Sequence, residues 1–98
     1  MENIFWSIDA IEDFEENIEY LENKFSENEV LNFTSKTIEV LNIISKKPKT
    51  FKPIKYKSIH AALIVPQITL YYRIKNKTDI ELIRFWNNYK NPNNLGLK

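Results

Sequence analysis

The spacing of the apolar residues changes once along this chain of 98 residues. Between residues 8 and 44, apolar side chains recur three or four positions apart, which is typical of amphipathic helices. From residue 59 to residue 87, apolar and polar side chains alternate instead, which is typical of strands with one buried face. The sequence therefore predicts an α+β fold in which two helices precede most of the strands.

The first half of the chain is predicted to form an antiparallel helical hairpin. Ser7 or Asp9 is a suitable N-cap for the first helix, and Ser26 with Glu29 forms a capping box for the second. Pro48 ends the second helix, and the short connection between the two makes them antiparallel. The predicted core positions are Ile8, Ile11, Phe14, Ile18, Leu21 and Phe25 in the first helix, and Val30, Leu31, Thr34, Ile38, Leu41 and Ile44 in the second.

Strands account for most of the remaining residues. Residues 3–6 are short and apolar enough for an edge strand, and turns at residues 66–67 and 76–79 separate three later strands. The predicted order is β-α-α-β-β-β, with the helical hairpin packed on one face of a small antiparallel sheet. Residues 1–98 are predicted to form a single domain that ends in an irregular tail at 88–98.

The opposite face of this sheet is predicted to be open, and strand register decides which side chains it carries. The turn at residues 76–79 sets Tyr71 opposite Arg84 and Arg73 opposite Leu82. The predicted buried face then holds Leu70, Tyr72, Ile74, Ile83 and Phe85, and the open face holds Tyr71, Arg73, Arg84 and Trp86.

His60 and Tyr89 are candidates for moving protons. A tight turn at residue 66 places His60 beside Arg73 on the open face, and His60 alone has an ordinary pKa near neutrality. A lone histidine in a strand is also often structural, and that alternative stays open. Tyr89 and Lys90 follow the last strand and can reach the open face, unless the tail that carries them is mobile.

Composition excludes several classes of function. The chain has no cysteine and one histidine, so disulfides, zinc-thiolate sites and thiol nucleophiles are absent and no metal or cofactor is predicted. The single glycine, Gly96, excludes a glycine-rich phosphate loop. No apolar run approaches the roughly 20 residues of a membrane span, and no signal-like segment begins the chain, so we expect a cytoplasmic protein without a membrane partner.

Charge is divided unevenly along the chain. Residues 1–31 contain ten acidic side chains and one basic one, whereas residues 32–98 contain three acidic and thirteen basic ones, giving charges near −9 and +10. Such asymmetry is typical of a protein that meets a polyanion with one face, although a solvated acidic helix beside a lysine-rich loop explains it equally well. The carboxylates between Asp9 and Glu29 are predicted to be solvated, because they lie off the apolar stripe.

A cluster of lysines leads into the sheet. Six lysines fall within residues 46–57, next to the arginines and aromatic side chains of the open face. This combination is suited to binding a phosphate backbone while bases stack on aromatic rings. Lysines also protect exposed strand edges from aggregation, and that alternative remains.

The order of elements and two segments resemble the RelE/ParE superfamily of toxins, which belong to type II toxin–antitoxin systems and are also called plasmid stabilisation proteins. One segment is Gln67-Ile-Thr-Leu-Tyr-Tyr-Arg-Ile74, and the other runs from Ile80-Glu-Leu-Ile-Arg-Phe-Trp to Asn-Pro-Asn-Asn-Leu95. The opening Ile4-Phe-Trp-Ser-Ile-Asp-Ala10 is also similar to the start of the family, and the resemblance covers nearly the whole chain.

The resemblance implies a cognate antitoxin that masks the working face in a toxin–antitoxin hetero-oligomer. It also implies one of two targets: the ribosome, where mRNA is cleaved by attack of a 2′-hydroxyl on the adjacent phosphate, or DNA gyrase, which is poisoned without catalysis. A nucleic-acid-binding module without toxicity is a third reading of the residues.

Site residues follow from the resemblance by position. Lys52, Lys55 and Lys57 correspond to phosphate-binding lysines, and Arg73 and Arg84 lie on strands that supply arginine. The implied catalytic set is Arg73, Arg84, Tyr89 and His60, and the implied substrate-binding set is Lys52, Lys55, Lys57, Tyr71, Trp86 and Lys90. His60-Ala-Ala stands where an arginine is frequent, and Asn87-Asn-Tyr-Lys90 stands in place of Asp-x-Arg-Gln, so a catalytically decayed toxin is a further possibility.

Overall fold

The computed structural model describes residues 3–56 and 58–97, so Lys57 lies outside the described residues. The elements follow the predicted order with one short strand added. They are β1 (Asn3–Trp6), α1 (Ile8–Lys24), α2 (Glu27–Lys46), β2 (Lys52–Pro53), β3 (Ile59–Val65), β4 (Ile68–Ile74), β5 (Asp79–Asn87) and a 3₁₀ helix at Pro92–Asn94.

The strands form one sheet in the order β1-β5-β4-β3-β2. Neighbouring strands are antiparallel except for β1 and β5, which are parallel. The connection from β1 to β5 contains both helices and the other strands, which is long enough for a parallel pairing. The α+β prediction is therefore confirmed, and the sheet is mixed rather than wholly antiparallel.

The helical hairpin covers one face of the sheet and builds the core with it. Four aromatic rings mark the centre: Trp6 stacks on Phe85 with ring centroids 5.1 Å apart, and Phe14 lies 4.9 Å from Phe33. The buried core residues are Ala10, Leu21, Phe33, Val40, Ile44, Ala62, Ile64, Val65, Ile68, Leu70, Tyr72, Ile80, Leu82 and Phe85. This apolar contact between layers is the main stabilising term of the fold.

Helix α1 begins as predicted, and Phe14, Ile18 and Leu21 of its predicted stripe pack on the core, but the buried face is displaced from the predicted one. The Ser7 hydroxyl accepts the Ala10 N–H at 3.0 Å, which confirms Ser7 as the N-cap. The buried residues of α1 are Ala10, Asp13, Asn17 and Leu21. Ile8 and Ile11 of the predicted core stripe are instead 75% and 47% exposed. In α2 the same is true of Leu31 and Ile38, both 63% exposed.

The burial of Asp13 and Asn17, in place of the predicted Ile8 and Ile11, has a physical cause at one edge of β5. Strand β1 ends at Trp6, opposite Leu82, so beyond that point the edge of β5 that faces away from β4 has no strand beside it. Three polar side chains take the place of the missing strand. The Ser7 hydroxyl donates to the Ile83 carbonyl, Asp13 Oδ2 accepts the Phe85 N–H, and Asn17 Nδ2 donates to the Phe85 carbonyl, at 2.9, 3.1 and 2.9 Å.

A bulge in β5 changes the predicted register between β4 and β5. Tyr71 pairs with Arg84 as predicted, but Arg73 pairs with Glu81 instead of Leu82. Ile83 is the extra residue at this bulge. Leu82 therefore fills the core position that the sequence analysis gave to Ile83.

A second bulge, at Ile64 in β3, moves His60 to the helix-covered face. Leu63 pairs with Thr69 and Val65 with Ile68, so every earlier residue of β3 is displaced by one position. His60 consequently pairs with Tyr72, and the predicted placement of His60 beside Arg73 is wrong. The bulge allows both Ile64 and Val65 to be buried, which strict alternation would forbid.

Within residues 3–56 and 58–97, no helix has the length and apolar character needed to cross a membrane.

Replacing Asn17 with alanine is expected to lower the free energy of unfolding by about 1–3 kcal/mol, because the buried Phe85 carbonyl loses its donor. Urea denaturation measures this quantity. Asn23→Ala changes an exposed position of the same helix and is expected to stay within about 0.5 kcal/mol of the wild type. Equally small losses in both variants would contradict the edge-capping role of Asn17.

Candidate nucleic-acid interface

The open face of the sheet, opposite the helices, carries one row of paired residues that crosses four strands. Lys52 pairs with Ala61, Ala61 with Tyr71, and Tyr71 with Arg84. Directly paired residues project from the same face of a sheet, so this central row places Tyr71 beside Arg84 and places Lys52 on the other side of the small Ala61. Lys52 is exposed, and Tyr71 and Arg84 are partly buried.

Arg84 is held by a two-pronged ion pair with Asp13. Its Nε donates to Asp13 Oδ2 at 2.7 Å and its Nη2 donates to Oδ1 at 2.9 Å, while Nη1 donates to the Leu95 carbonyl at 3.2 Å. Hydrogen bonding to Asp13 raises the pKa of Arg84 further, against the effect of burial. The arginine thus joins α1, β5 and the C-terminal tail, and Asp13 offsets its charge.

Trp86 lies between two cations on the open face. The Arg84 guanidinium carbon is 5.0 Å from the ring centroid, and the Lys90 ammonium is 5.8 Å from it. Lys90 also forms an exposed ion pair with Glu16 at 3.4 Å. Trp86 is only 5% exposed, so in this arrangement it supports its neighbours rather than offering a free ring for stacking.

Arg73 lies next to the central row on the open face. It pairs with Ile59 on one side and Glu81 on the other, and its Nη1 lies 4.0 Å from Glu81 Oε1. About a third of each of these two charged side chains is accessible, so the ion pair is largely screened by water. Both predicted arginines are therefore on the open face, each beside a carboxylate.

The lysines differ in their surroundings. Among residues 3–56 and 58–97, none of the ion pairs involves Lys49, Lys52 or Lys55. Lys55 lies over the ring of Tyr56 at 5.4 Å from its centroid. These exposed cations remain able to attract phosphate groups.

His60 is stacked on Tyr72 inside the protein. The two rings are 5.4 Å apart and 19° from parallel, and His60 is 8% exposed. Burial lowers the pKa of His60, the Lys49 cation acts in the same direction, and a backbone hydrogen bond at Ser58 opposes both. Because His60 lies on the helix-covered face, it is not part of the central row.

Tyr89 is strongly exposed, with 74% of its surface accessible. Asn87 Oδ1 accepts the Tyr89 N–H at 2.9 Å, which fixes the turn that follows β5. The phenol is therefore available at the end of the last strand, close in sequence to Lys90 and Trp86.

The tail predicted to be irregular has a defined course. Asn91 Oδ1 accepts the Asn93 N–H and caps the 3₁₀ helix. Leu97 is buried, as are Ile59 and Trp86, and none of the three belongs to the core between helices and sheet. Together with the Arg84–Leu95 hydrogen bond, this places the tail against the open face.

Asp13 was missed by sequence reasoning, which assigned it to the solvated helix surface. The sequence does carry a signal for the burial of Asp13. Asp13 and Asn17 lie four residues apart on one helix face, and the apolar Ala10 and Leu21 continue that face. No group of three or more potential metal ligands exists among the described residues.

Two antiparallel helices on one face of a five-stranded mixed sheet form the RelE/ParE toxin fold. The chain is similar to a structure of the chromosomal ParDE toxin–antitoxin system from P. aeruginosa, with a TM-score of 0.71 at 13% identity, covering 89% of this chain and 96% of that one. A YoeB/ParE toxin from Agrobacterium tumefaciens gives a TM-score of 0.65 at 14% identity, covering 91% and 100%.

A heterotetrameric YoeB–YefM toxin–antitoxin complex from Staphylococcus aureus is also similar, with a TM-score of 0.62 at 18% identity, covering 91% of this chain and 99% of that one. No protein-family model matches the sequence, and no curated protein matches it. At these identities the likeness establishes the fold.

Asp13→Asn is expected to lower the free energy of unfolding by about 2–3 kcal/mol, because Arg84 loses its charged, two-pronged acceptor. Urea denaturation tests this, with Glu16→Gln as the control. That variant removes the exposed partner of Lys90 and should change stability by less than about 1 kcal/mol. If Asp13→Asn lowers the free energy of unfolding no more than Glu16→Gln does, the stabilising role of the Asp13–Arg84 ion pair is contradicted.

Stability is expected to fall as the pH is lowered from 7.5 to 5.5. The folded state lowers the pKa of His60 below its ordinary value of 6.5, so the unfolded state binds the proton more readily. The stability that the neutral form of His60 contributes is fully present above pH 6.5, and it is lost as the pH falls through the lowered pKa of His60 in the folded state. Denaturant titrations of the wild type and His60→Gln at both pH values measure it, and identical pH dependence in the two proteins would contradict it.

Proposed function

We propose that this protein is the toxin of a type II toxin–antitoxin pair and that it cleaves mRNA on the ribosome with its open face. The single observation that carries the proposal is the central row, which aligns Lys52, Ala61, Tyr71 and Arg84 across four strands on the sheet face away from the helices. The proposed place of action is the cytoplasm, where ribosomes and mRNA are found.

The fold supports a toxin with a protein partner. The similar structures include a ParDE system and a YoeB–YefM toxin–antitoxin complex. We infer a cognate antitoxin for this chain as well, which inhibits the toxin by covering the open face in a hetero-oligomer.

RNA binding is assigned to the exposed cations and to Tyr71. Lys52 and Lys55 attract phosphates without a competing carboxylate among the described ion pairs, and Arg73 adds a partly exposed guanidinium. Tyr71 provides a ring between Lys52 and Arg84 on which a base can stack. Lys57 belongs to the same proposed lysine cluster by sequence.

The proposed reaction is an internal phosphoryl transfer. The 2′-hydroxyl of the RNA gives up its proton as its oxygen attacks the adjacent phosphorus, the bond to the 5′-oxygen breaks, and the 5′-oxygen takes up a proton, leaving a 2′,3′-cyclic phosphate and a 5′-hydroxyl. Arg73 and Lys52 stabilise the negative charge that develops on the phosphate. Tyr89 is the accessible hydroxyl for proton movement, whereas His60 is excluded from this role by its position against Tyr72.

Arg84 acts in this proposal mainly by positioning. Its Nε and Nη2 are occupied by Asp13, and its Nη1 contacts the Leu95 carbonyl, so fewer N–H groups remain for a phosphate. Arg84 also supports Trp86, and Lys90 flanks the same ring.

A poison of DNA gyrase is the alternative, and one observation favours it. The one histidine of the chain, His60, faces the helices, so the open face has no imidazole to act as a general acid or base, and both arginines lie beside carboxylates. A gyrase poison would act through its helical and C-terminal surfaces and would keep its toxicity without Lys52. A catalytically decayed toxin would affect neither target.

Pulse-labelling after induction without an antitoxin separates these functions. Amino-acid and thymidine incorporation are followed together in growing bacteria. Loss of protein synthesis first supports mRNA cleavage, loss of DNA synthesis first supports gyrase, and no effect on either supports decay.

Lys52→Ala and Arg73→Ala are each expected to reduce ribosome-dependent cleavage by about tenfold or more, because each removes a charged contact to phosphate. Lys52→Ala is also expected to reduce the slope of RNA affinity against salt concentration by about one unit. Lys36→Ala, which removes an exposed lysine of α2, is the matched control and should cleave normally. Full activity in both open-face variants, with unchanged thermal stability, would contradict the proposed site.

A further inference from the structure

A cavity of about 310 Å³ separates the lysine-rich segment from the C-terminal tail. It is lined by Tyr56, Pro92, Asn93, Leu95, Gly96 and Leu97. The volume is at the lower end of the range for sites that enclose small organic groups. Tyr56 is 38% exposed, so part of its ring remains accessible.

The walls of this cavity are held by contacts that lead back to the central row. Arg84 Nη1 donates to the Leu95 carbonyl at 3.2 Å, which fixes the tail wall relative to β5. Asn91 Oδ1 accepts the Asn93 N–H at 3.0 Å and sets the 3₁₀ turn. Gly96 adopts a φ of +71°, a left-handed conformation that glycine tolerates best, and turns the chain toward the buried Leu97.

The chemistry of the lining suits a planar ring that carries hydrogen-bonding edges. Tyr56 offers an aromatic surface, and Pro92, Leu95 and Leu97 supply apolar carbons. Asn93 carries an amide, which both donates and accepts hydrogen bonds and can read the edge of a base. Lys55, over the Tyr56 ring at 5.4 Å, brings positive charge to the side where a phosphate backbone would pass.

We propose that this cavity binds one nucleobase of the bound RNA, with Tyr56 stacking on the base and Asn93 selecting it. The inference rests on the proposed function and adds a specificity site to it. An RNA backbone lying on Lys52 and Lys55 runs beside both the central row and the cavity, so a nucleotide next to the cleaved one can turn its base into the cavity.

Two measurements on the full-length protein test the cavity. The first maps ribosome-dependent cleavage across mRNAs that differ at single bases around the cut. The second follows quenching of 2-aminopurine in a short RNA without ribosomes, which reports base stacking directly. The variants are Tyr56→Ala, Tyr56→Phe and Asn93→Ala, with Asn32→Ala on the exposed surface of α2 as the control.

Tyr56→Ala is expected to weaken quenching and cleavage by about tenfold, while Tyr56→Phe, which keeps the ring, stays within about twofold of the wild type. Asn93→Ala is expected to reduce discrimination at one base position by about tenfold without a general loss of cleavage. Thermal melting verifies that each variant is folded. If Tyr56→Ala does not fold, Asn93→Ala still tests the cavity.

The outcomes separate this inference from the proposed function. If the wild type cleaves mRNA and the Tyr56 and Asn93 variants behave like Asn32→Ala, the cavity proposal is overturned and the proposed function stands. If the wild type does not cleave but quenches 2-aminopurine in a Tyr56-dependent way, the cavity stands and the cleavage proposal fails. If it does neither, both fail.

Discussion

The ion pair between Asp13 and Arg84 connects the three parts of the molecule. It joins α1 to β5 through two charge-assisted hydrogen bonds, and the third arm of the arginine reaches the tail at Leu95. The same carboxylate accepts the Phe85 N–H, so one side chain satisfies both a buried cation and a strand edge. This arginine contacts the tail at Leu95, which also lines the cavity beside Tyr56, and it lies over the ring of the buried Trp86.

This arrangement divides the positive charges of the open face into two groups. Arg84 is held by Asp13 in a partly buried ion pair, whereas Lys49, Lys52 and Lys55 are exposed and take part in none of the ion pairs among the described residues. The proposed binding of a polyanion by a chain with a net charge of +1 rests on this separation, because ten of the thirteen carboxylates lie within residues 1–31. In the proposed function, positioning and attraction are therefore assigned to different residues.

The sequence predicts the fold class, the N-cap at Ser7 and the pairing of Tyr71 with Arg84, because periodicity and capping are local signals. It does not predict the bulges at Ile64 and Ile83, and a single extra residue is enough to move His60 to the opposite face. Nor does periodicity indicate that α1 buries an aspartate. Asp13 is needed there because β1 ends before β5 does, which leaves the Phe85 N–H without an acceptor from a neighbouring strand. The predicted roles of the site residues stay predictions.

The side chains that cap β5 also govern how this sheet can meet other chains. An unpaired strand edge is a template for the strand of another molecule, and proteins commonly block it with a charge or a covering helix. Ser7, Asp13 and Asn17 occupy the edge of β5 from Ile83 to Phe85 and leave no room for such an addition there. In the described part of the sheet, the edges left for an extended segment of another chain are those of β1 and β2 and the stretch of β3 from Ala62 to Val65 that β2 does not pair with.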